Sequence, residues 1–128
     1  MPFLLYALIT WTTRERAPLI TDRVKTFLEK TVPQIARKHG AKVLELGIVD
    51  DHVHALVRLP ARFDTPRLAQ ALKGTTARLA NRDGIARTGE ELRWASGYDC
   101  RSVGPRALTD ARDYLRSQLE KHRDRVPR

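Results

Sequence analysis

The sequence predicts a single α+β domain with an antiparallel sheet, spanning residues 1–128. The length suits one domain with a core of its own, and 41% of the residues are hydrophobic, as in ordinary globular chains. Strand-like and helix-like patterns follow one another without a linker. Their order is strand, helix, strand, strand, helix, strand, helix, and the first six elements follow the βαββαβ order of a ferredoxin-like fold. The seventh element is an added C-terminal helix.

An uncharged run of residues predicts the first strand. An apolar stripe at helical spacing, with a capping residue before it, predicts the first helix. Residues 3–12, FLLYALITWT, carry no charge and predict a strand buried on both faces. A helix is expected over residues 21–40, where Thr21 or the aspartate after it suits the N-cap and Gly40 suits the end. Pro33 lies inside the apolar stripe, so we expect a kink or a break there.

A hairpin is predicted next, with strands over residues 42–49 and 52–59. Two residues, Asp50 and Asp51, separate the strands, and two is the commonest hairpin spacing. Side chains alternate along a strand, so the second strand has two distinct faces. One face, toward the core, carries Val53, Ala55, Val57 and Leu59, and the other carries His52, His54, Leu56 and Arg58.

The C-terminal half predicts a helix, a short strand and a last helix. The first helix lies within residues 63–84, with Thr65 as its cap and Pro66 at its first helical position. Residues 98–104 suit a strand, and residues 106–122 suit a helix with leucine and alanine at helical spacing.

The charge balance favours a polyanionic partner. The chain has 24 Lys and Arg against 15 Asp and Glu, a net charge of +9, which favours nucleic acid over a merely basic protein. On the second helix, Lys73, Arg78 and Arg82 are candidate phosphate contacts, although they are equally consistent with a solvated helix face. We expect the single cysteine, Cys100, to be buried and unreactive. One cysteine and an N-terminal apolar run too short to span a membrane fit a cytoplasmic location.

Two histidines one residue apart, His52 and His54, point to the same face of the predicted strand. Two imidazoles on one face are half of a metal site, and two solvated histidines are the alternative. On the last helix, Tyr114 and Gln118 are four residues apart and share a face that is not the apolar one. The Gln118 amide oxygen could complete a cation site that suits Mg²⁺ or Mn²⁺ better than a closed zinc site. A packed tyrosine ring with a wet hydroxyl and an ordinary surface glutamine are the alternatives.

These pieces together resemble the single-tyrosine HUH transposases of bacterial and archaeal insertion sequences, including the REP-associated tyrosine transposases. The resemblance covers nearly the whole chain. The chain differs from the usual pattern in having Asp50 where the family has proline and Leu115 where it commonly has isoleucine. The segments that carry the resemblance are ITWTTRERAPL, KHGAKVLELGIVDDHVHALVRLP, LAQALKGTTARL, LRWASGYDCRSVG and ARDYLRSQ.

The resemblance implies a set of roles for these residues. His52, His54 and Gln118 would be ligands of a divalent metal, Mg²⁺ or Mn²⁺, and Tyr114 the nucleophile. The implied activity is DNA transposition, with cleavage and rejoining of single-stranded DNA through a 5′-phosphotyrosine and recognition of DNA hairpins. The implied assembly is a homodimer in which the catalytic helix of one chain serves the histidines of the other.

Three alternatives remain open at this stage. A host-adopted relative would keep the chemistry without mobility, and the genomic neighbourhood would distinguish it. A non-catalytic nucleic-acid-binding module on a ferredoxin-like sheet would bind DNA without metal. A metal-dependent phosphodiesterase that uses water would survive Tyr114→Phe.

Overall fold

A computed structural model of the chain describes residues 5–87 and 89–121, with side chains described as far as Ser117. The order of the main elements is the one predicted, with a short 3₁₀ turn after the first strand and another before the last helix. None of the helices within the described ranges is long and apolar enough to cross a bilayer. The elements are β1 (Leu5–Thr12), α1 (Asp22–Lys38), β2 (Lys42–Ile48), β3 (His52–Leu59), α2 (Thr65–Arg82), β4 (Asp99–Val103) and α3 (Leu108–Lys121).

The four strands form one antiparallel sheet in the order β2-β3-β1-β4. This is the strand order of the predicted ferredoxin-like fold, in which β1 and β3 occupy the centre. The register fixes the neighbours of the two histidines: Thr12 pairs with His52, Thr10 pairs with His54 on one side, and Gly47 pairs with His54 on the other.

The main core lies between one face of the sheet and helices α1 and α2, as the alternation of β3 predicts. Each helix contributes an apolar stripe to it, and Trp11 meets Trp94 edge-to-face with ring centroids 6.0 Å apart. The fully buried side chains of this core include Ile9, Trp11, Val24, Leu28, Val32, Val53, Ala55, Val57 and Leu72. The opposite face of the sheet, which carries the histidines, is therefore available for α3.

Three local expectations are wrong for identifiable reasons. Helix α2 is capped by Asp64, whose carboxylate accepts a hydrogen bond from the Arg67 N–H at 3.0 Å, and Thr65 is its first residue. Helix α1 continues through Pro33, so the expected break is absent, while the alternative expectation of a kink stays a prediction. The carbonyl that loses its partner there belongs to the exposed residue 29, where water can satisfy it. Cys100 is exposed, because both faces of the edge strand β4 are largely uncovered.

Candidate functional site

The turn that precedes the histidines is held by the loop after β1. The Ile20 N–H donates to the Asp50 carbonyl at 3.0 Å, and the Thr13 N–H donates to the Asp51 carbonyl at 2.8 Å. These bonds use the backbone of both aspartates and leave their carboxylates for other contacts. The backbone position of His52, the first residue of β3, is therefore fixed by the turn before it.

His52 is held by a carboxylate. Its Nδ1 lies 2.7 Å from Asp51 Oδ1, and both side chains are buried. The other oxygen of Asp51 accepts a hydrogen bond from Arg16 Nε at 3.3 Å. An ionised carboxylate only accepts hydrogen bonds, so Nδ1 of His52 carries the proton and the Nε2 lone pair is left for a ligand. A carboxylate behind an imidazole is a common arrangement around metal-binding histidines.

A strained turn brings Arg16 to this carboxylate. Glu15 and Arg16 adopt φ values of 57° and 56°, the left-handed region that non-glycine residues rarely enter. Each such residue costs on the order of 1–2 kcal/mol, and strain of this kind is found preferentially at functional sites. The strained segment contacts the Asp51–His52 pair through the bond from Arg16 to Asp51.

His54 is held by a hydroxyl from the neighbouring strand. Thr10 Oγ1 lies 2.7 Å from His54 Nδ1, across the β1–β3 ladder. When Nδ1 donates to this hydroxyl, Nε2 of His54 is also left as an acceptor. The ring centroids of His52 and His54 are 4.8 Å apart, with an interplanar angle of 85°. Two imidazoles so close, each oriented through Nδ1, fit the requirements of a shared metal ion.

A groove of about 400 Å³ joins the second histidine to the last helix. Tyr114 on α3 is about half exposed (48%) and borders the same groove as His54. On the β4 side, Arg101 Nε lies 3.0 Å from an oxygen of Asp99, so the groove also has a charged wall. The full lining is Leu8, Thr10, His54, Asp99, Arg101 and Tyr114. The exposed phenol of Tyr114 and the imidazole of His54 thus line the same groove within one chain.

A glycine allows α3 to lie close to the histidines. Gly47 is the cross-strand partner of His54, and a Cβ there would lie 3.5 Å from Leu115 Cδ2 and 3.7 Å from Leu115 Cβ. Leu115 is 1% exposed, so this contact is a buried one. On the rim, Arg116 pairs with Glu45 of β2 at 3.4 Å. The helix that carries Tyr114 is therefore seated on β2 by the residue that follows the tyrosine.

The third predicted ligand, Gln118, lies on α3 one turn beyond Tyr114. Its side chain lies outside the described residues, so its role as a ligand stays a prediction. Among the described side chains, no group of three or more His, Cys, Asp or Glu could hold a metal ion.

The predicted DNA contacts on α2 lie apart from the groove lining. Lys73 Nζ donates to the Gly97 carbonyl at 2.8 Å, and partial burial lowers the pKa of Lys73. Arg82 pairs with Asp83 at 2.9 Å, while Arg78 is exposed. Their contact with DNA stays a prediction.

Four residues of the site were not singled out as functional from the sequence. The strand register places Thr10 and Arg101 at the site, and a single sequence does not reveal that register. Arg16 enters through two left-handed residues, for which the sequence, Arg-Glu-Arg, gives no signal because neither glycine nor asparagine is present. Asp51 had a readable signal, since an acidic residue directly before a candidate ligand histidine is a possible orienting partner.

Comparison with known proteins identifies the family of the chain. The family model described as "Transposase IS200 like" matches residues 2–118. The chain belongs to the IS200-like transposase family. This confirms the family resemblance found from the motifs.

Individual relatives agree with this assignment. Over 70 residues the chain is 29% identical to the ISDra2 transposase TnpA of Deinococcus radiodurans, covering 55% of this chain and about half (50%) of that relative. A 1.90 Å crystal structure assigned as a transposase of Deinococcus radiodurans R1 superposes with a TM-score of 0.70 at 24% identity, covering 92% and 93% of the two chains. A REP-associated tyrosine transposase bound to a REP hairpin superposes with a TM-score of 0.71 at 13% identity, covering 95% of this chain and 72% of that one. The two structures support the fold.

Proposed function

We propose that this IS200-like family member is a metal-dependent transposase that cleaves and rejoins single-stranded DNA through Tyr114. The observation that carries the proposal is the single groove shared by His54 and Tyr114. The orientation of both histidines through Nδ1 supports it further. The reaction is a nucleotidyl transfer, which makes the chain a single-strand endonuclease and strand transferase.

His52 and His54 would hold the metal through Nε2, with Gln118 as the third protein ligand. Mg²⁺ and Mn²⁺ both remain candidates. When bound, a divalent cation polarises a phosphate and neutralises the charge that develops on its oxygens. Asp51 and Thr10 would keep the imidazoles in the correct tautomer and orientation.

Tyr114 would supply the nucleophile. Its phenolic oxygen attacks the scissile phosphorus and loses its proton to solvent, and the bond from phosphorus to the 3′-oxygen breaks. The departing 3′-oxygen takes up a proton, and the 5′ end remains esterified to the tyrosine. The number of phosphodiester bonds is unchanged, so a 3′-hydroxyl of another strand can reverse the step without ATP. Arg101, on the wall of the same groove, would add positive charge near the phosphate.

The nucleic-acid partner would be a DNA hairpin with a single-stranded flank. The structural neighbour bound to a REP hairpin supports this choice, and the net charge of +9 favours binding to phosphates. A homodimer is also part of the proposal. Its catalytic helix would serve either the histidines of its own chain, through the shared groove, or those of the partner, and the mixing experiment below distinguishes the two. A cytoplasmic location remains the expectation from the sequence.

A covalent-adduct assay tests the reaction. The protein is incubated with Mg²⁺ or Mn²⁺ and an end-labelled single strand containing the hairpin that flanks its own gene, and the products are run on a denaturing gel. Tyr114→Phe and His52→Ala are the test variants. Tyr98→Phe is the matched control, because Tyr98 is also exposed (37%) but borders a different cavity.

A metal-dependent protein–DNA band that persists in Tyr98→Phe and is lost in both test variants would support the proposal. Cleavage without an adduct that survives Tyr114→Phe would favour hydrolysis by water. Binding without cleavage, on a verified substrate, would favour a non-catalytic module. A gene that lies between the recognisable ends of a mobile element would encode a mobile transposase. A gene without such ends would encode a host-adopted relative.

Mixing two inactive variants tests the dimer. Tyr114→Phe keeps the histidines and His52→Ala keeps the tyrosine, so a dimer with catalysis in trans would regain adduct formation when the two are combined. Catalysis within one chain, for which the shared groove provides a route, predicts no recovery.

A further inference from the structure

Thr13, the residue directly after β1, is completely buried, with 0% of its surface exposed. Its backbone N–H donates to the Asp51 carbonyl at 2.8 Å. Its hydroxyl oxygen lies 2.6 Å from the Ala17 carbonyl oxygen and 3.2 Å from the Asp51 carbonyl oxygen. A hydroxyl has one proton to donate, so the shorter contact, with Ala17, is the stronger bond. One buried threonine therefore connects the loop after β1 to the turn before the histidines.

The hydroxyl of Thr13 closes the strained turn that contains Glu15 and Arg16. Inside the turn, the Arg16 N–H donates to the Thr13 carbonyl at 3.0 Å. The bond from the hydroxyl to the Ala17 carbonyl encloses residues 14–16, because it joins the residue before them to the residue after them. Glu15 and Arg16 have left-handed φ values of 57° and 56°, a region that neither residue type favours. The turn therefore depends on bonds that fix both of its ends.

Solvent has no access to replace this hydroxyl. On the side of β1 away from β3, residues 93–95 cover Thr13, which forms an isolated β-bridge with Trp94. The Arg14 N–H donates to the Arg93 carbonyl at 2.9 Å and holds this cover in place. A buried polar group that loses its partner is not compensated by water. A variant without the hydroxyl would therefore lose the bond that closes the turn and gain none from solvent.

The closed turn leads to the contact that orients the first histidine. Arg16 Nε lies 3.3 Å from Asp51 Oδ2, and Oδ1 of the same carboxylate lies 2.7 Å from His52 Nδ1. The two oxygens of one carboxylate are thus bonded to two different groups, the guanidinium of the turn and the imidazole. The backbone bond from Thr13 fixes the carbonyl of the same aspartate. Thr13 is therefore connected to the Asp51–His52 pair both through the turn and through the backbone.

We propose that Thr13 is a positioning residue for the metal site: its hydroxyl keeps the strained turn closed, so that Arg16 holds the Asp51 carboxylate against His52. The inference rests on the proposed function, because it concerns the metal that His52 would bind. Thr13 is buried and contacts neither DNA nor metal itself. Its effect is to keep the imidazole in one tautomer and one orientation before the metal arrives.

Replacing Thr13 with valine tests the proposal. Thr13→Val removes the hydroxyl but keeps the shape and the charge of the side chain. Isothermal titration of the metal-free protein with Mn²⁺ is expected to show a roughly three- to tenfold weaker affinity, below the about 10- to 100-fold loss on removing a direct partner of a ligand histidine. Thr13→Ser keeps the hydroxyl and is expected to bind Mn²⁺ like the wild type.

Thr76→Val is the control for the loss of a buried threonine hydroxyl. Thr76 is also 0% exposed, and its hydroxyl donates to the Leu72 carbonyl at 2.6 Å within α2. The Trp94 Nε1–H donates to the same hydroxyl at 3.0 Å, so the control variant loses at least as much bonding as the test variant. It is expected to be destabilised and to keep its Mn²⁺ affinity.

NMR of the metal-free protein separates positioning from a loss of stability. The His52 Nδ1 proton, which is bonded to the carboxylate, is assigned by its absence in His52→Ala. Its exchange with water is expected to be slow in the wild type and in Thr76→Val, and faster in Thr13→Val. In the Asp51→Ala background no carboxylate remains to be held, so Thr13→Val is expected to weaken Mn²⁺ binding no further.

A glycine in the turn is expected to rescue the valine variant. Glycine adopts a φ of 57° without strain, so Glu15→Gly is expected to keep the turn formed without the hydroxyl and to return the Mn²⁺ affinity of Thr13→Val to near the wild-type value. Glu15→Ala makes the same change in charge but keeps the strain, so it is expected to give no rescue. If Thr13→Val alone unfolds, the glycine double variant is expected to fold and bind Mn²⁺, and the alanine double variant is not.

Wild-type Mn²⁺ affinity in Thr13→Val would overturn the proposal. Equal losses in Thr13→Val and Thr76→Val, an additive loss with Asp51→Ala, or failure of the glycine to rescue would overturn it too. Failure of the proposed function gives a different pattern. A wild type that binds no Mn²⁺ refutes the metal site, and exchange of the His52 proton then decides whether Thr13 orders the imidazole. A wild type that binds Mn²⁺ but forms no adduct refutes the reaction alone.

Discussion

Replacing Asp51 with alanine tests whether this residue acts through His52. The substitution removes Oδ1 from its 2.7 Å contact with His52 Nδ1 and Oδ2 from its 3.3 Å contact with Arg16. The backbone bond from the Thr13 N–H to the residue 51 carbonyl does not depend on the side chain and is expected to persist. The Arg16 side chain is 60% exposed, so it can turn to water. The fold is therefore expected to lose only about 1.5–3 kcal/mol, the usual contribution of a hydrogen bond to a charged group.

The expected loss of metal-binding free energy is about as large as this loss of stability. Removing the hydrogen-bond partner of a metal-binding histidine typically weakens metal affinity about 10- to 100-fold, which is roughly 1.4–2.8 kcal/mol. Isothermal titration with Mn²⁺ measures the dissociation constant on the DNA-free protein. Asp51→Asn keeps an acceptor for Nδ1 and is expected to lose less. Asp83→Asn, which removes the same charge at an exposed position paired with Arg82, is the matched control.

A double-mutant cycle decides whether the effect passes through the imidazole. In the His52→Ala background the Asp51→Ala change has no imidazole to orient, so it is expected to cost nothing further. An equal loss in both backgrounds would refute the reasoning, as would a wild-type-like dissociation constant for Asp51→Ala. A general electrostatic effect of the carboxylate would give additive losses, whereas orientation of His52 gives non-additive ones.

Three further predictions concern Thr10, Gly47 and Cys100. Thr10→Val removes the hydroxyl bonded to the second histidine and is expected to weaken Mn²⁺ binding about tenfold or more, while Thr10→Ser keeps it; equal affinities in titration would contradict this. Gly47→Ala adds a Cβ at ordinary contact distance, 3.5 Å from Leu115, and is expected to leave the melting temperature unchanged. Gly47→Val overfills the contact and is expected to cost about 1–3 kcal/mol, roughly 4–12 °C, and to reduce adduct formation; equal melting temperatures for the two would exclude close seating of α3. Although Cys100 is exposed overall, partial burial of its side chain, followed by the charge of Asp99, raises the pKa of its thiol. Alkylation at pH 7.5 is therefore expected to be slower than for a model cysteine peptide and to accelerate as the pH rises, and a rate equal to the peptide's would contradict this.

The elements that depend on local alternation were predicted well from the sequence. Strand β3 spans residues 52–59 as expected, because apolar residues occupy every second position on its core-facing side. The cap of α2 was missed by one residue, since Asp64 and Thr65 are both good caps and Pro66 fits either of the first two helical positions. The exposure of Cys100 could not be predicted either, because edge position in a sheet is a property of strand order.

The candidate chemical residues were easier to single out from the sequence than the residues that support them. Two histidines one residue apart are unusual on a strand, and the family resemblance pointed to Tyr114; the roles of all three stay predictions. Their supports are ordinary residues whose importance comes from three-dimensional placement. Thr10 matters because the β1–β3 register sets it opposite His54, and Gly47 because its missing side chain leaves room for Leu115.

The strained turn after β1 gives a physical reason to regard the Arg16–Asp51–His52 chain as functional. Two consecutive left-handed residues, Glu15 and Arg16, cost the fold on the order of 2–4 kcal/mol together, a large share of the 5–15 kcal/mol that stabilises a typical domain. The ion pair between Arg16 and the buried Asp51 contributes only about 0–1 kcal/mol, because the Arg16 side chain is 60% exposed and solvent screens the interaction. Stability alone therefore does not account for the conformation. Holding a buried carboxylate against His52 does, because a ligand histidine with a fixed tautomer binds a cation without first having to be ordered.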